Sequence, residues 1–173
     1  MADVVREVFE EYQFTWDPEG YHADLYDLAG HFSPPEGFLA VGGVDPDNIV
    51  ACCGISRHPC IPGEVLNQPA GEMARICGTS AELHRLYVRP AARRAGLGHQ
   101  LTLACLDWAQ GQGVQAVEIW SDKKFDAAHR LYENLGAERV GDRISNDPDD
   151  SPEWGYRLVL PLPTHLDPNK NRL

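Results

Sequence analysis

The chain is short of positive charge: 15 lysines and arginines stand against 26 aspartates and glutamates in 173 residues, a formal net charge of −11. A surface with that balance repels polyphosphate chains and anionic lipid, which removes nucleic acid and membranes as expected partners. It suits a cationic or amine-bearing substrate. Long hydrophobic runs are also missing. No stretch approaches the roughly 18 apolar residues of a membrane span, and the opening MADVVREVFEE has no apolar signal core, so a soluble, cytoplasmic protein is expected. The cysteines, Cys52, Cys53, Cys60, Cys77 and Cys105, are odd in number and contain no C-x-x-C pair, an intracellular pattern. Cys53, His58 and Cys60 lack the second cysteine pair or histidine pair of a zinc set, so no metal site is expected. The cysteines read as small core hydrophobes. No internal repeat appears, and the length suits one domain over 1–173.

What the chain does have is concentrated between Leu83 and Gln100, LHRLYVRPAARRAGLGHQ. Branched and aromatic residues from Leu83 to Val88 predict a strand, and Pro90 stops it. Ala91 to Ala95 is a turn carrying Arg93 and Arg94, and from Gly96 the residues Leu97, Leu101, Ala104 and Trp108 recur at helical spacing. A helix start leaves amide hydrogens unpaired at the positive end of its dipole, so this turn makes a phosphate site. Gly96 and Gly98 allow close approach to the backbone, and Arg93 and Arg94 are expected to add charge-assisted contacts. Together with Arg85 and Arg89 they form a basic patch in an acidic chain. A dinucleotide-binding turn would need a third glycine where Leu101 stands, and a tight turn straight off the strand; here residues 89–95 intervene.

Upstream, Asp3 is placed to cap a helix through Val4, Val5, Val8, Phe9 and Tyr12. Tyr21 to Gly30 predicts a second short helix with Leu25, Tyr26, Leu28 and Ala29, making 1–36 a helical N-terminal segment. Gly37–Val44 and Ile49–Ser56 predict a hairpin turned at Asp45 to Asn48, and His58 to Thr79 a long loop over the substrate end. Downstream, Gln115 to Ser121 predicts a strand, and Phe125 to Leu135 a helix with Ala128, Leu131, Tyr132 and Leu135 on one face. Ala137 to Ser145 and Glu153 to Leu160 predict two last strands, and 161–173 an irregular tail.

The order V-x-P-x-x-R-x-x-G-x-G, read at Val88, Pro90, Arg93, Gly96 and Gly98, resembles the acetyl-CoA signature of the GNAT superfamily of N-acetyltransferases. LYENLGA at Leu131 to Ala137 is similar to the family's L-Y-x-x-x-G-F element, with Ala137 in place of the aromatic. SPEWGYRLVL resembles the last strand of a branch that shows S-x-E-Y-G-F. The order of elements is the family's from its second strand onward. The resemblance implies an α/β (α+β) fold with a central mixed, mostly antiparallel twisted sheet flanked by helices on both faces. It implies direct transfer of an acetyl group from acetyl-CoA to a primary amine of a small molecule or peptide, and a second copy of the chain is a candidate partner. A catalytically silent acyl-CoA-binding module is the alternative. Acetyl-CoA would lie against Leu86, Tyr87, Val88, Arg93, Arg94, Ala95, Gly96, Leu97, Gly98 and His99, with Phe125 and Ala128 from the later helix. Two departures stand out: Phe125 occupies a position where many members carry asparagine, and the family's first strand has no counterpart before Asp3, leaving QFTW at 13–16 to supply it or that edge altered.

Acetyl transfer needs a deprotonated amine, a polarised carbonyl and a proton donor for the departing thiolate. Glu82, eleven residues before Arg93, matches the glutamate base of the histone-acetylating branch. Tyr132 matches the tyrosine that serves many members as general acid. Carbonyl polarisation would fall to a bulge in the central strand. Strict alternation puts Leu83 and Leu86 on opposite faces, and a one-residue slip brings both to the core. His84, His99 and His129 read as surface or supporting residues, with the His99 amide expected at the phosphate. Trp108, Trp120 and Tyr87 read as core aromatics.

Overall fold

The computed structural model describes residues 1–45 and 47–163. Helix α1 (Ala2–Tyr12) buries Val4, Val5, Val8 and Phe9, the positions that share helical spacing. Met1 rather than Asp3 is its N-cap; Asp3 sits in the first turn, where a carboxylate still faces the positive end of the dipole. The helix expected over Tyr21–Gly30 is divided into a 3-10 turn, Ala23–Tyr26, and α2 (Leu28–Phe32). The break falls at Asp27, whose carboxylate accepts the Gly30 N–H and caps α2. Leu25 and Phe32 are buried while Tyr26 is exposed, so Tyr26 is not on the apolar face expected for it.

Strands β1 (Gly37–Gly43) and β2 (Ile49–Arg57) form the expected hairpin. The loop that follows carries its own small ladder, β3 (Leu66–Asn67) against β4 (Arg75–Ile76). Then come β5 (Ala81–Val88), α3 (Leu97–Gly111), β6 (Ala116–Asp122), α4 (Asp126–Asn134), β7 (Glu138–Ile144) and β8 (Pro152–Val159). The main sheet has six strands in the order β1-β2-β5-β6-β8-β7. Every pairing in it is antiparallel except β5 with β6. Among the described residues no strand precedes β1: QFTW is not one, and the sheet edge is altered there.

Side-chain alternation along β2 shows how the two faces are covered. Cys53 and Ile55 belong to the core shared with α3 and α4, whereas Cys52 packs with Val4, Val5 and Phe9 of α1. A sheet with apolar residues on both faces is stable only when both are covered, and the amphipathic helices supply that cover. Trp108 stacks on Phe38 at 5.8 Å in the larger core. Of the tail, Leu162 packs against that core, and 164–173 lie outside the described residues. No described helix is long and apolar enough to cross a membrane.

Candidate active site

The site begins as an interruption of β5. Cys52 pairs with Tyr87 and Gly54 with His84, so two residues of β5, Arg85 and Leu86, face one of β2. Arg85 takes the left-handed conformation (φ 57°) that such a bulge uses. That conformation costs an arginine about 1 kcal/mol, and a buried fork of contacts holds it: Nε and Nη2 donate to Asp24 at 2.8 Å, and Nη2 to the Tyr21 carbonyl at 2.7 Å. The slip puts Leu83 and Leu86 against the same core. It also ends the parallel ladder, since β5 and β6 pair only from Ala81–Val117 to Leu83–Ile119 although both strands continue. Beyond Leu83 they splay, and the cleft side of β5 has no strand partner there among the described residues. A cavity of about 560 Å³ opens at the splay.

Its cofactor end is lined by Leu86, Tyr87, Val88, Arg93, Arg94, Gly96, Leu97, Gly98 and His99. Ala95 is exposed on the same loop and is not in the wall. Gly96 caps α3 at φ 80°, and no side-chain hydrogen bond from the described residues caps the helix, so its first amides are available to a ligand. A Cβ added to Gly98 would lie 3.6 Å from Val88 Cγ2, occupying the approach to those amides. These features fit the diphosphate of acetyl-CoA. The basic patch is not free, however. Arg85 is held by Asp24, Arg89 by Glu7, and Arg93 by Glu11, with Arg93 Nε also on the Val88 carbonyl at 3.1 Å. The charge-assisted contact expected of Arg93 is made to α1 instead. Arg94 alone of the four has no ion-pair partner among the described residues.

Phe125 and Ala128 line the cavity from the α4 side, with Tyr132 deeper in. In place of the polar contact an asparagine would give, Phe125 meets Tyr12 edge-on at 4.8 Å and Phe14 at 5.8 Å. The next residue after Phe14 continues this roof: the Thr15 N–H and hydroxyl both donate to Asp149 at 2.7 Å. Tyr132 is 4% exposed, and no hydrogen bond engages its hydroxyl among the described residues. Burial, then the neighbouring Cys53, Tyr87 and Tyr156, hold that hydroxyl protonated far above the usual tyrosine range.

At the opposite end lie Glu82, Trp120, Asp122, Arg143, Asp147 and Glu153. Glu82 Oε2 is 3.5 Å from Arg75 Nη2, but Arg75 is drawn mainly to Glu118, its Nε donating at 2.7 Å. Glu118 is wholly buried and also accepts from the Ile76 N–H at 2.8 Å and Trp120 Nε1 at 3.0 Å, with His58 Nε2 3.2 Å away. Burial alone would raise its carboxyl; hydrogen bonds from His58, Arg75, Ile76 and Trp120 outweigh that and bring it down to about 2. The loop expected over this end is therefore anchored to β6 by one carboxylate, and it contributes Met73 to the wall. His129, expected as a surface or supporting residue, is buried and bonds the Asp122 carbonyl at 3.0 Å. Half-buried His84 lies 3.2 Å from Ser56 Oγ, whereas His99 is exposed. Trp120 and Tyr87 are packed as expected but also face the cavity.

Sequence reasoning did not find Asp24, Glu118, Asp122, Arg143 or Glu153. Only Glu153 stood in a quoted motif, and the burial of Glu118 in the run VEIW was a signal that a partnered charge sits there. Residues 1–137 match the family model described as Acetyltransferase (GNAT) family.

The chain belongs to that family.

Members use acetyl-CoA as acetyl donor. The N-alpha-acetyltransferase RimI of Mycobacterium tuberculosis is 30% identical over 126 residues, covering 73% of this chain and 63% of that protein. A mycothiol acetyltransferase of Rothia mucilaginosa is 30% identical over 123 residues, covering 66% of this chain and 31% of its own length. The chain thus spans about a third of the length of the mycothiol acetyltransferases it matches. Among solved structures, an acetyltransferase from Streptococcus agalactiae has the same fold, with a TM-score of 0.67 at 15% identity, covering 92% of this chain and 88% of that one.

Proposed function

We propose that this chain transfers the acetyl group of acetyl-CoA to a primary amine nitrogen of a small molecule or peptide. The observation that carries the reading is the splay of β5 from β6, which joins the uncapped start of α3, the buried Tyr132 hydroxyl and the Glu82 carboxylate in one cavity. The name of the RimI relative specifies nitrogen as the atom acetylated, which supports an amine acceptor.

Acetyl-CoA supplies an electrophilic thioester carbonyl and a thiolate leaving group. Arg94 and the first amides of α3 hold the phosphate end, and unpaired amides on the cleft side of β5 hold the arm and polarise the carbonyl. An alkylamine with a pKa of about 10.4 is almost wholly protonated at neutral pH. Glu82 takes that proton, directly or through water, so that the nitrogen can attack. As the carbon–sulfur bond breaks, Tyr132 gives its proton to the departing sulfur and is reprotonated, through water, by the second proton that the acetylated nitrogen loses. The Tyr132 hydroxyl is neutral at neutral pH, as a tyrosine ordinarily is, and that is the form able to donate. Possible acceptors enter from the end bounded by Met73, Trp120 and Asp147.

The test is release of free CoA from acetyl-CoA across a panel of primary amines, with wild type beside Glu82→Gln. Amine-dependent release is expected, with a wild-type to variant ratio of kcat/KM that falls as pH rises and the free amine needs no base. A protein that binds acetyl-CoA yet releases CoA with none of the amines contradicts the reading and returns the chain to a silent acyl-CoA-binding module.

A further inference from the structure

Charge at the acceptor end does not balance. Four carboxylates face the cavity there, Glu82, Asp122, Asp147 and Glu153, and one guanidinium, Arg143. Arg143 is fully engaged: Nε donates to Glu153 Oε2 at 2.7 Å, Nη1 to the Ala74 carbonyl at 3.1 Å, and the guanidinium lies 4.1 Å over the Trp120 ring. Both members of that pair are buried, with side chains 8% and 9% exposed. Arg75 reaches Glu82 only at 3.5 Å because Glu118 holds it. Asp147 turns inward to its own loop, accepting from the Asp149 and Ser151 amides.

Asp122 is left over. It is 8% exposed and ends β6 inside the splay. One carboxylate oxygen accepts the Lys124 N–H at 2.6 Å, which fixes the side chain. The other, Oδ2, is buried with no hydrogen-bond partner among the described residues. Lys123 and Lys124 bring no relief, because Lys123 pairs with Asp142 and Lys124 lies over Phe14. A buried carboxylate oxygen without a donor costs on the order of 1–3 kcal/mol, so an oxygen left this way calls for a partner that completes it. Glu153, although paired with Arg143, sits in the same excess of negative charge: burial raises its carboxyl, Arg143 opposes the rise, and the nearby charges of Glu82 and Asp147 add to it.

We propose that this end of the cavity is a cation subsite centred on Asp122, and that the favoured acceptor carries a second protonated nitrogen besides the amine that is acetylated. This rests on the reading of the cavity as an acetyltransferase site. An aliphatic diamine meets both demands: its reacting nitrogen loses a proton toward Glu82 while its far ammonium donates to Asp122 Oδ2, and Trp120 and Met73 cover the methylenes between. A neutral monoamine leaves Oδ2 unpaired. An acceptor ending in a carboxylate adds a fifth negative charge.

Three acceptors of one length separate these cases: 1,4-diaminobutane, 1-aminobutane and 4-aminobutanoate. With acetyl-CoA and wild-type protein, kcat/KM is expected to fall in that order, by about tenfold or more from the first to the second, a preference that weakens as salt is added. Asp122→Asn keeps the shape and the bond from Lys124, and should shrink the diamine to monoamine ratio to about threefold or less. Affinity of the same compounds for the CoA-saturated protein is measured in parallel by calorimetry. Transfer to all three with equal kcat/KM overturns the cation subsite while leaving the acetyltransferase reading intact. Tighter binding of the diamine with no transfer to any amine upholds the subsite and overturns that reading. An unchanged ratio in Asp122→Asn also overturns the proposal.

Discussion

The two ends of the cavity are built in opposite ways. The cofactor end is mainly one run of chain, from Leu86 to His99, and presents backbone: a strand edge that β6 leaves uncovered and the uncapped start of α3. The acceptor end is assembled from side chains on β5, β6, β7, β8 and the loop between β2 and β5, brought together only by the sheet order. A backbone site tolerates change in most side chains but not in the glycines that expose it. A side-chain site can be retuned one residue at a time, which is how a family keeps its donor while changing its acceptor.

The junction of the two ends offers the largest expected effect. Tyr132→Phe removes one hydroxyl from a packed position and should lower kcat by roughly ten- to a thousandfold, with acetyl-CoA affinity kept, as expected for loss of a general acid. Steady-state rates and a calorimetric Kd on one preparation decide it. Unchanged kcat would make Tyr132 a core residue and break the link between the ends. Next is Asp24→Ala, which strips the buried Arg85 of its carboxylate partner. Breaking a buried pair from one side costs about 3–5 kcal/mol, so denaturant unfolding should show a loss of that order. Conversely, Asp24→Ala with wild-type stability would mean that the bulge holds without this clasp.

Acid separates two buried groups, His22 and Glu118. His22 is wholly buried against Trp16 at 4.1 Å, and burial, with the charge of Arg85, lowers it from 6.5 to about 4. A histidine kept neutral in the fold gives its full contribution above pH 6.5 and loses it as pH falls toward 4, about 3 kcal/mol in all. Glu118, lowered from 4.5 to about 2, contributes in full above 4.5 and loses a similar amount as pH falls toward 2. Unfolding free energies at a series of pH values should thus fall in two overlapping steps. Replacing His22 with Asn should flatten the upper one and leave the lower. A single step near pH 4 would show that His22 is not held neutral.

The smallest effect sharpens the contrast most. Because Arg93 is bound to Glu11, Arg93→Ala should change the Kd for acetyl-CoA by no more than about threefold, while Arg94→Ala weakens it by about three- to tenfold. The reverse order would mean that the signature arginine leaves α1 when the cofactor binds.

The same contrast explains what was legible in the sequence. Strand, turn and helix from Leu83 to Trp108 depend on neighbours in the chain, so propensity, Pro90 and the two glycines sufficed to place them, and the mismatch of Leu83 and Leu86 pointed to the bulge. The carboxylates of the acceptor end depend on register. Asp122 faces Glu153 only through the pairing of β6 with β8, strands far apart in sequence, and Glu153 faces Arg143 only through the register of β7 against β8. Nothing local announced them. Arg93 failed for the same reason, since its partner is 82 residues away on α1. The split of the helix at Asp27 was a local matter that apolar spacing outvoted, although an aspartate three residues before Gly30 was a capping signal.

The most direct test of the central claim, that acetyl-CoA is held on the bare backbone between Val88 and His99, is a calorimetric titration of wild type and Gly98→Val. The added Cβ meets only ordinary contacts, at 3.6 Å and 3.9 Å from Val88 and Leu86, so the variant should fold. Wild type should bind one equivalent and gain melting temperature from it, and the variant should bind at least about tenfold more weakly. Equal affinity in the two proteins would place the cofactor elsewhere.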